Sequence, residues 1–185
     1  MSSICVFCGS SKGQNSSHMK LAHDLGELLA ERGHKLIYGG GGLGLMGAVA
    51  SASYKAGGSV LGIMPDFLSG IEKTLYEINH VIVKDMHERK MMMYDKSDAF
   101  IVLPGGIGTL EEAVEILSWS RLNLHNKPII FLDNTNYWDS ILKLLNSMSE
   151  EGFIPSNFLK KIIFDPTPAS TLQEIERILE SIQQK

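Results

Sequence analysis

At 185 residues, 44% hydrophobic and 21% charged, the chain fits one soluble domain, residues 1–185, that buries its own core without disulfide or metal staples. No stretch approaches the ~20 consecutive apolar residues of a membrane-spanning helix. A formal net charge of −4 excludes the broad basic surface that bulk nucleic-acid binding requires, so any anion must be held locally.

The first segment, Met1 to Phe7, has no basic region ahead of its apolar run. It reads as a strand rather than a signal peptide, and the protein is expected in the cytoplasm. Cys5 and Cys8 form a C-x-x-C. On a strand, residues three apart point to opposite faces, and no further ligands lie nearby, so both read as buried structural cysteines. The spacing then predicts a helix over 17–32 closed by Gly33, a strand over 36–38, a helix over 43–55 closed by Gly57-Gly58, and a strand over 60–64. A strand over 81–83, a helix over 87–96, a strand over 99–103 and a helix over 109–123 follow. The last third predicts a strand over 129–132, a helix over 137–151 closed by Gly152, a strand over 162–164 and a helix over 171–184. Alternation of this kind implies an α/β, Rossmann-like fold: a mostly parallel sheet of about seven strands with helices on both faces. Ala99-Phe100-Ile101-Val102-Leu103 is apolar on both sides, as a doubly covered sheet requires.

Ligands of such sheets collect beyond the carboxyl ends of the strands. Three of those ends are rich in small residues: Gly9-Ser10-Ser11, Gly39-Gly40-Gly41-Gly42, and Gly105-Gly106 with Gly108. Together they suggest a phosphate-bearing ligand, because glycine admits a close approach to the backbone and helix N-termini attract anions.

Gly42-Leu43-Gly44-Leu45-Met46-Gly47 matches G-x-G-x-x-G, with Asp66 near the spacing of a ribose-binding acid. The motif sits on the second strand-helix unit rather than the first, which favours a generic phosphate loop over a dinucleotide site. Close packing of helix on strand is a further reading for Gly47. In Pro104-Gly105-Gly106-Ile107-Gly108-Thr109-Leu110-Glu111-Glu112, proline stops a strand, glycines turn the chain, and amides plus the Thr109 hydroxyl open a helix suited to a phosphate. Glu111, Glu112 and Glu115 follow in its first turns. There they either satisfy the helix dipole or, in part, face the ligand, with Glu112 and Glu115 expected on one face. Met86-His87-Glu88-Arg89-Lys90 opens another helix at the same sheet edge. Arg89 there is a phosphate clamp, a group acting on a leaving base, or part of a solvated basic turn. The six histidines are scattered, so no metal site is expected, and no catalytic serine or cysteine triad is apparent.

Taken together, Phe7-Cys8-Gly9-Ser10-Ser11, Gly40 to Gly47, Met86 to Lys90 and Pro104 to Glu112 resemble the LOG ("Lonely Guy") family of cytokinin riboside 5′-monophosphate phosphoribohydrolases over nearly the whole chain. The resemblance implies cleavage of the N-glycosidic bond of AMP or an N6-prenylated AMP to free base and ribose 5-phosphate, without cofactor or metal. It assigns catalysis to Arg89 and Glu112. It places Lys90, Gly106, Ile107, Gly108, Thr109, Leu110 and Glu111 around the nucleotide, beside Gly9, Ser10, Gly41, Gly42, Met86 and Gly105. Ser118 stands where many relatives have Thr, and Glu72 matches a further ligand-contacting acid. The resemblance also implies a homodimer, to which Met91 to Met93 contribute. Family members long carried a lysine decarboxylase label, yet no site dedicated to pyridoxal phosphate is visible in this sequence.

Overall fold

The computed structural model describes residues 1–71 and 73–184. Seven strands and eight helices alternate along the chain: β1 Ser3–Phe7, α1 Ser16–Glu31, β2 Lys35–Tyr38, α2 Gly44–Lys55, β3 Val60–Pro65, α3 Asp66–Ser69, β4 Asn79–Val83, α4 Met86–Asp95, β5 Ala99–Val102, α5 Ile107–Arg121, β6 Ile129–Leu132, α6 Asp139–Glu150, α7 Ser156–Leu159, β7 Ile162–Asp165 and α8 Pro168–Gln183. The strands form one sheet in the order β4-β3-β2-β1-β5-β6-β7, and every neighbouring pair is parallel.

The alternation of side chains along each strand divides the core in two. Ile4, Val6 and Cys8 pack with Leu36, Tyr38 and Ile101 under α1, α2 and α8. Cys5 and Phe7 pack with Ile37, Ile63, Phe100 and Val102 against α4 and α5. The two cysteines therefore belong to opposite layers. Both are free and buried, and burial pushes both thiols well above their ordinary range. Native protein is accordingly expected to resist a thiol-alkylating reagent at pH 8 and to react at both positions only after unfolding. Rapid labelling of the native chain would contradict that placement.

After β4 the chain returns to the centre and adds β5 beside β1, so the direction of winding reverses between these two strands. Loops leaving adjacent strands must diverge to opposite faces at such a point, which opens a crevice at their carboxyl ends. The crevice is stitched at its base: Leu103 N donates to Phe7 O (2.9 Å) and Gly9 N to Pro104 O (3.1 Å).

All seven predicted strands and six predicted helices are present. The four-residue helices α3 and α7 were not expected, being too short to produce a helical period. α5 starts at Ile107 rather than 109, because extended Gly106 (φ −89°, ψ −158°) turns the chain early enough for Ile107 and Gly108 to become helical. α6 starts later than expected, since Trp138 N is held by Asp133 Oδ2 (3.1 Å) in the preceding turn.

Candidate active site

A cleft of about 310 Å³ lies over the β1/β5 crevice, with β1 and the Gly9-Ser10 turn as its floor, α4 on one wall and the start of α5 on the other. α5 has no side-chain N-cap. Among the described residues nothing accepts a hydrogen bond from the amides of Ile107, Gly108 or Thr109, and all three residues line the cleft. An anion at this helix start satisfies those donors and meets the positive end of the helix dipole.

The same cleft holds a buried ion pair, Arg89 reaching from α4 to Glu112 on α5. Arg89 and Glu112 are each 8% exposed, with Nη2 and Oε1 separated by 3.6 Å. The beginning of α4 fixes Arg89: Asp85 caps the helix by accepting from Glu88 N (3.0 Å), while Glu88 Oε2 accepts from Lys84 N (2.7 Å). The guanidinium is then held from two sides, Nε donating to Ile63 O (3.2 Å) and Nη2 to Gly39 O (3.3 Å). Gly39 is a seat for it, since a Cβ there would fall 2.0 Å from Nη2. Burial lifts the Glu112 carboxyl from near 4.5 to about 7, against the opposing pull of Arg89. The cleft thus holds a fixed cation and a carboxyl that exchanges its proton near neutrality, beside an anion cradle.

The other expected residues separate by position. Gly9, Ser10, Met86, Gly106, Ile107, Gly108, Thr109 and Glu111 line the cleft with the pair. Gly41 and Gly42 line an adjoining hollow with Ser10, and Gly42 N is taken by Lys73 O (2.6 Å). Gly105 faces a further cavity and backs Thr109. Lys90, Leu110 and Ser118 do not line the cleft; Leu110 packs into the core and Ser118 is exposed on α5. Glu72 lies outside the described residues. Lys90 bridges Glu111 (2.6 Å) and Glu115 (3.1 Å), which makes those two glutamates the pair that shares a face and leaves Glu112 turned inward alone. The expected pairing of Glu112 with Glu115 is corrected accordingly: residues four apart converge on one lysine across the helix surface.

The glycine motif on α2 serves the protein itself. Leu45 N and Met46 N both donate to Gly9 O (3.0 and 3.2 Å), so the amides that a pyrophosphate would need are occupied. Gly44 (φ +59°) presses on Ser10, where a Cβ would come within 2.4 Å of backbone, and Gly47 presses on Gly42 O. The motif locks two loops together, and Asp66 is simply the exposed first residue of α3. The one group of potential metal ligands among the described residues, His23, Asp24 and Glu27 on α1, borders neither the cleft nor its neighbours. Two features had no local signal in the sequence: the Gly39 seat, legible only as part of a glycine run, and His18 with Tyr137 in the cavity beside Gly105.

A family model described as "Possible lysine decarboxylase" matches residues 46–175. The chain is 45% identical over 174 residues to the cytokinin riboside 5′-monophosphate phosphoribohydrolase LOG4 of Arabidopsis thaliana, covering 94% of this chain and 81% of that protein. The chain belongs to the LOG family. A probable rice member, LOGL6 of Oryza sativa subsp. japonica, is 44% identical over 94% of this chain and 70% of its own length. The same fold recurs in the molybdenum cofactor binding protein of Rippkaea orientalis (TM-score 0.72, 22% identity, 96% and 97% of the two chains). It recurs again in the molybdenum cofactor carrier protein of Chlamydomonas reinhardtii (TM-score 0.70, 18% identity, 97% and 98%). The decarboxylase description of the LOG family would call for a lysine able to bind pyridoxal phosphate, and Lys90 does not fit that role. Its burial is outweighed by hydrogen bonds to Glu111 and Glu115, which hold its ammonium above the ordinary range and keep it charged.

Proposed function

We propose that this LOG-family chain hydrolyses the N-glycosidic bond of AMP or an N6-modified AMP, releasing the free base and ribose 5-phosphate. One observation carries the reading: unsatisfied amides at the start of α5 share a cleft with the buried Arg89–Glu112 pair. The amides, with the Thr109 and Ser10 hydroxyls, hold the 5′-phosphate. The reacting ribose carbon then meets Glu112. A water oxygen bonds to C1′ as the C1′–N9 bond breaks, and the bonding pair leaves with the base. Glu112 takes the proton from the attacking water and stabilises the oxocarbenium-like charge on the sugar, by analogy with glycoside hydrolysis. Arg89 faces the departing base, which gains negative charge until it takes a proton from solvent; two of its nitrogens are anchored on carbonyls, and among the described residues Nη1 donates only to the Met86 sulfur (3.7 Å) and remains available. No cofactor or metal enters this scheme.

The protein acts as a homodimer in this reading, supported by exposed Met91 on α4, exposed Val114 on α5 and exposed Leu122 just after it. No described helix is long and apolar enough to cross a membrane, and we place the enzyme in the cytoplasm, with a small nucleotide and not a nucleic acid as its partner.

The test is a panel of AMP, N6-prenyl-AMP, GMP and CMP, with released base measured by chromatography. Adenine-type monophosphates are expected to be cleaved at least tenfold faster than the others; base release from none of them contradicts the proposal. A second check probes the cradle. At Gly105 a Cβ would lie 2.1 Å from Thr109 Oγ1, so Gly105→Ala must displace that hydroxyl. The KM for AMP is expected to rise about tenfold, as loss of a hydrogen bond to a charged group implies, with kcat changed less. An unchanged KM would remove Thr109 from the phosphate site.

A further inference from the structure

Beside the cleft, on the α1 side of the Gly9-Ser10 turn, lies a second cavity of about 270 Å³ that shares Gly9, Ser10 and Gly106 with it. His18 is 8% exposed and lines this cavity. Its Nε2 is 2.9 Å from Thr135 Oγ1, and that hydroxyl spends its single proton on Asp133 Oδ1 at 2.6 Å. Thr135 therefore accepts from His18 Nε2–H. Asp133 is itself fixed by the amides of Thr135 (2.8 Å) and Trp138 (3.1 Å), so the ring cannot rotate without breaking a chain of bonds.

The consequence falls on Nδ1. It has no partner among the described residues, and Gly13 lines the same cavity beside it. Tyr137 lines the cavity, its hydroxyl donating to Gly105 O (2.6 Å) and its ring meeting His18 edge-on at 5.6 Å between centroids. Packing alone would be served by phenylalanine at position 18. The ring is buried and locked by a three-residue relay, while its Nδ1, free of a protein partner among the described residues, is left for a ligand entering the cavity.

A phosphate monoester suits it in either protonation state: a phosphate hydroxyl donates to Nδ1, or the ring with a second proton donates to the dianion. The exposed Lys12 and the Ser10 and Ser11 hydroxyls bring further donors to the same space. We propose that this cavity is the phosphate end of the ligand site, with His18 Nδ1 and Lys12 gripping the phosphate oxygens turned away from the α5 amides. The base then extends in the other direction, toward Arg89. The inference deepens the nucleotide reading and takes its orientation from it.

His18→Phe preserves the ring volume, and His18→Gln preserves hydrogen bonding. In wild-type protein, inorganic phosphate should bind by calorimetric titration; in His18→Phe its affinity should fall about tenfold or more, with His18→Gln intermediate. The ratio of kcat/KM for AMP to that for adenosine should fall by a similar factor. Lys12→Ala, at an exposed position that leaves folding intact, should shift both readouts severalfold, and it supplies the test if His18→Phe does not fold. Wild-type phosphate affinity in these variants, or AMP and adenosine turnover declining in parallel, overturns the proposal. If wild-type protein cleaves neither nucleoside nor nucleotide, the hydrolase reading fails by itself, and phosphate titration still decides the role of His18.

Discussion

Glu112→Gln is expected to reduce base release from AMP by a factor on the order of 10³, the range lost when a general base is removed, while the folded protein becomes more stable at alkaline pH. Both effects have one cause. Burial lifts the carboxyl to about 7 despite Arg89, so the charged form needed to activate water is the form the interior disfavours. The activity of the wild type should therefore rise with pH through about 7 and lose that ionisation in Glu112→Gln. For stability the sign is reversed from that of most carboxylates. Between pH 4.5 and about 7 the folded chain retains a proton that the unfolded chain releases, so the contribution of Glu112 to stability falls as pH rises through that window. Glutamine keeps the shape without the charge. A gain of about 1–3 kcal/mol at pH 8, shrinking to nothing near pH 4, should appear in thermal or denaturant unfolding. Equal stability of the two proteins across this range would contradict the assigned environment.

Gly39→Ala, although remote in sequence from Arg89 and Glu112, is expected to lower kcat for AMP by about 100-fold, because an ångström of misplacement at a reacting group has an effect of that size. The new methyl would sit 2.0 Å from Arg89 Nη2 and 3.1 Å from Met46 Sδ, so the guanidinium must leave the Gly39 carbonyl and lose its alignment with Glu112. The proposed phosphate cradle on α5 is untouched, and KM should stay within a few-fold. Arg89→Ala should be at least as damaging. Arg89→Lys should not restore activity, since a single ammonium cannot span Ile63 O and Gly39 O while still facing the cleft. Near-normal kcat in Gly39→Ala would show that Arg89 has no positional role.

The fold was legible because the central strands are apolar on both faces and three of the helices carry their own glycine stop. Ala99 to Leu103 and the closing glycines Gly33 and Gly152 required no tertiary information. The site was legible where glycine and small polar residues follow a strand, as at Gly9-Ser10 and Gly105-Gly106. The division of labour among the glutamates was not, because one turn of helix leaves it to Lys90, on another element, to choose Glu111 and Glu115 and release Glu112 inward. The α2 glycine motif looked like a ligand loop from its spacing alone; only the Gly9 carbonyl, brought from β1, shows that its amides are occupied. His18 illustrates the limit most clearly: its partner Thr135 is 117 residues away, and nothing local to either residue signals the contact.

Hydrolysis at a monophosphate site differs from binding without chemistry on the same fold in its products. Incubation of the wild-type protein with AMP, followed by quantification of adenine and ribose 5-phosphate, separates the two. Both products are expected in equal amounts, with catalytic turnover that collapses in Glu112→Gln; AMP recovered intact after binding to the wild-type protein would contradict hydrolysis.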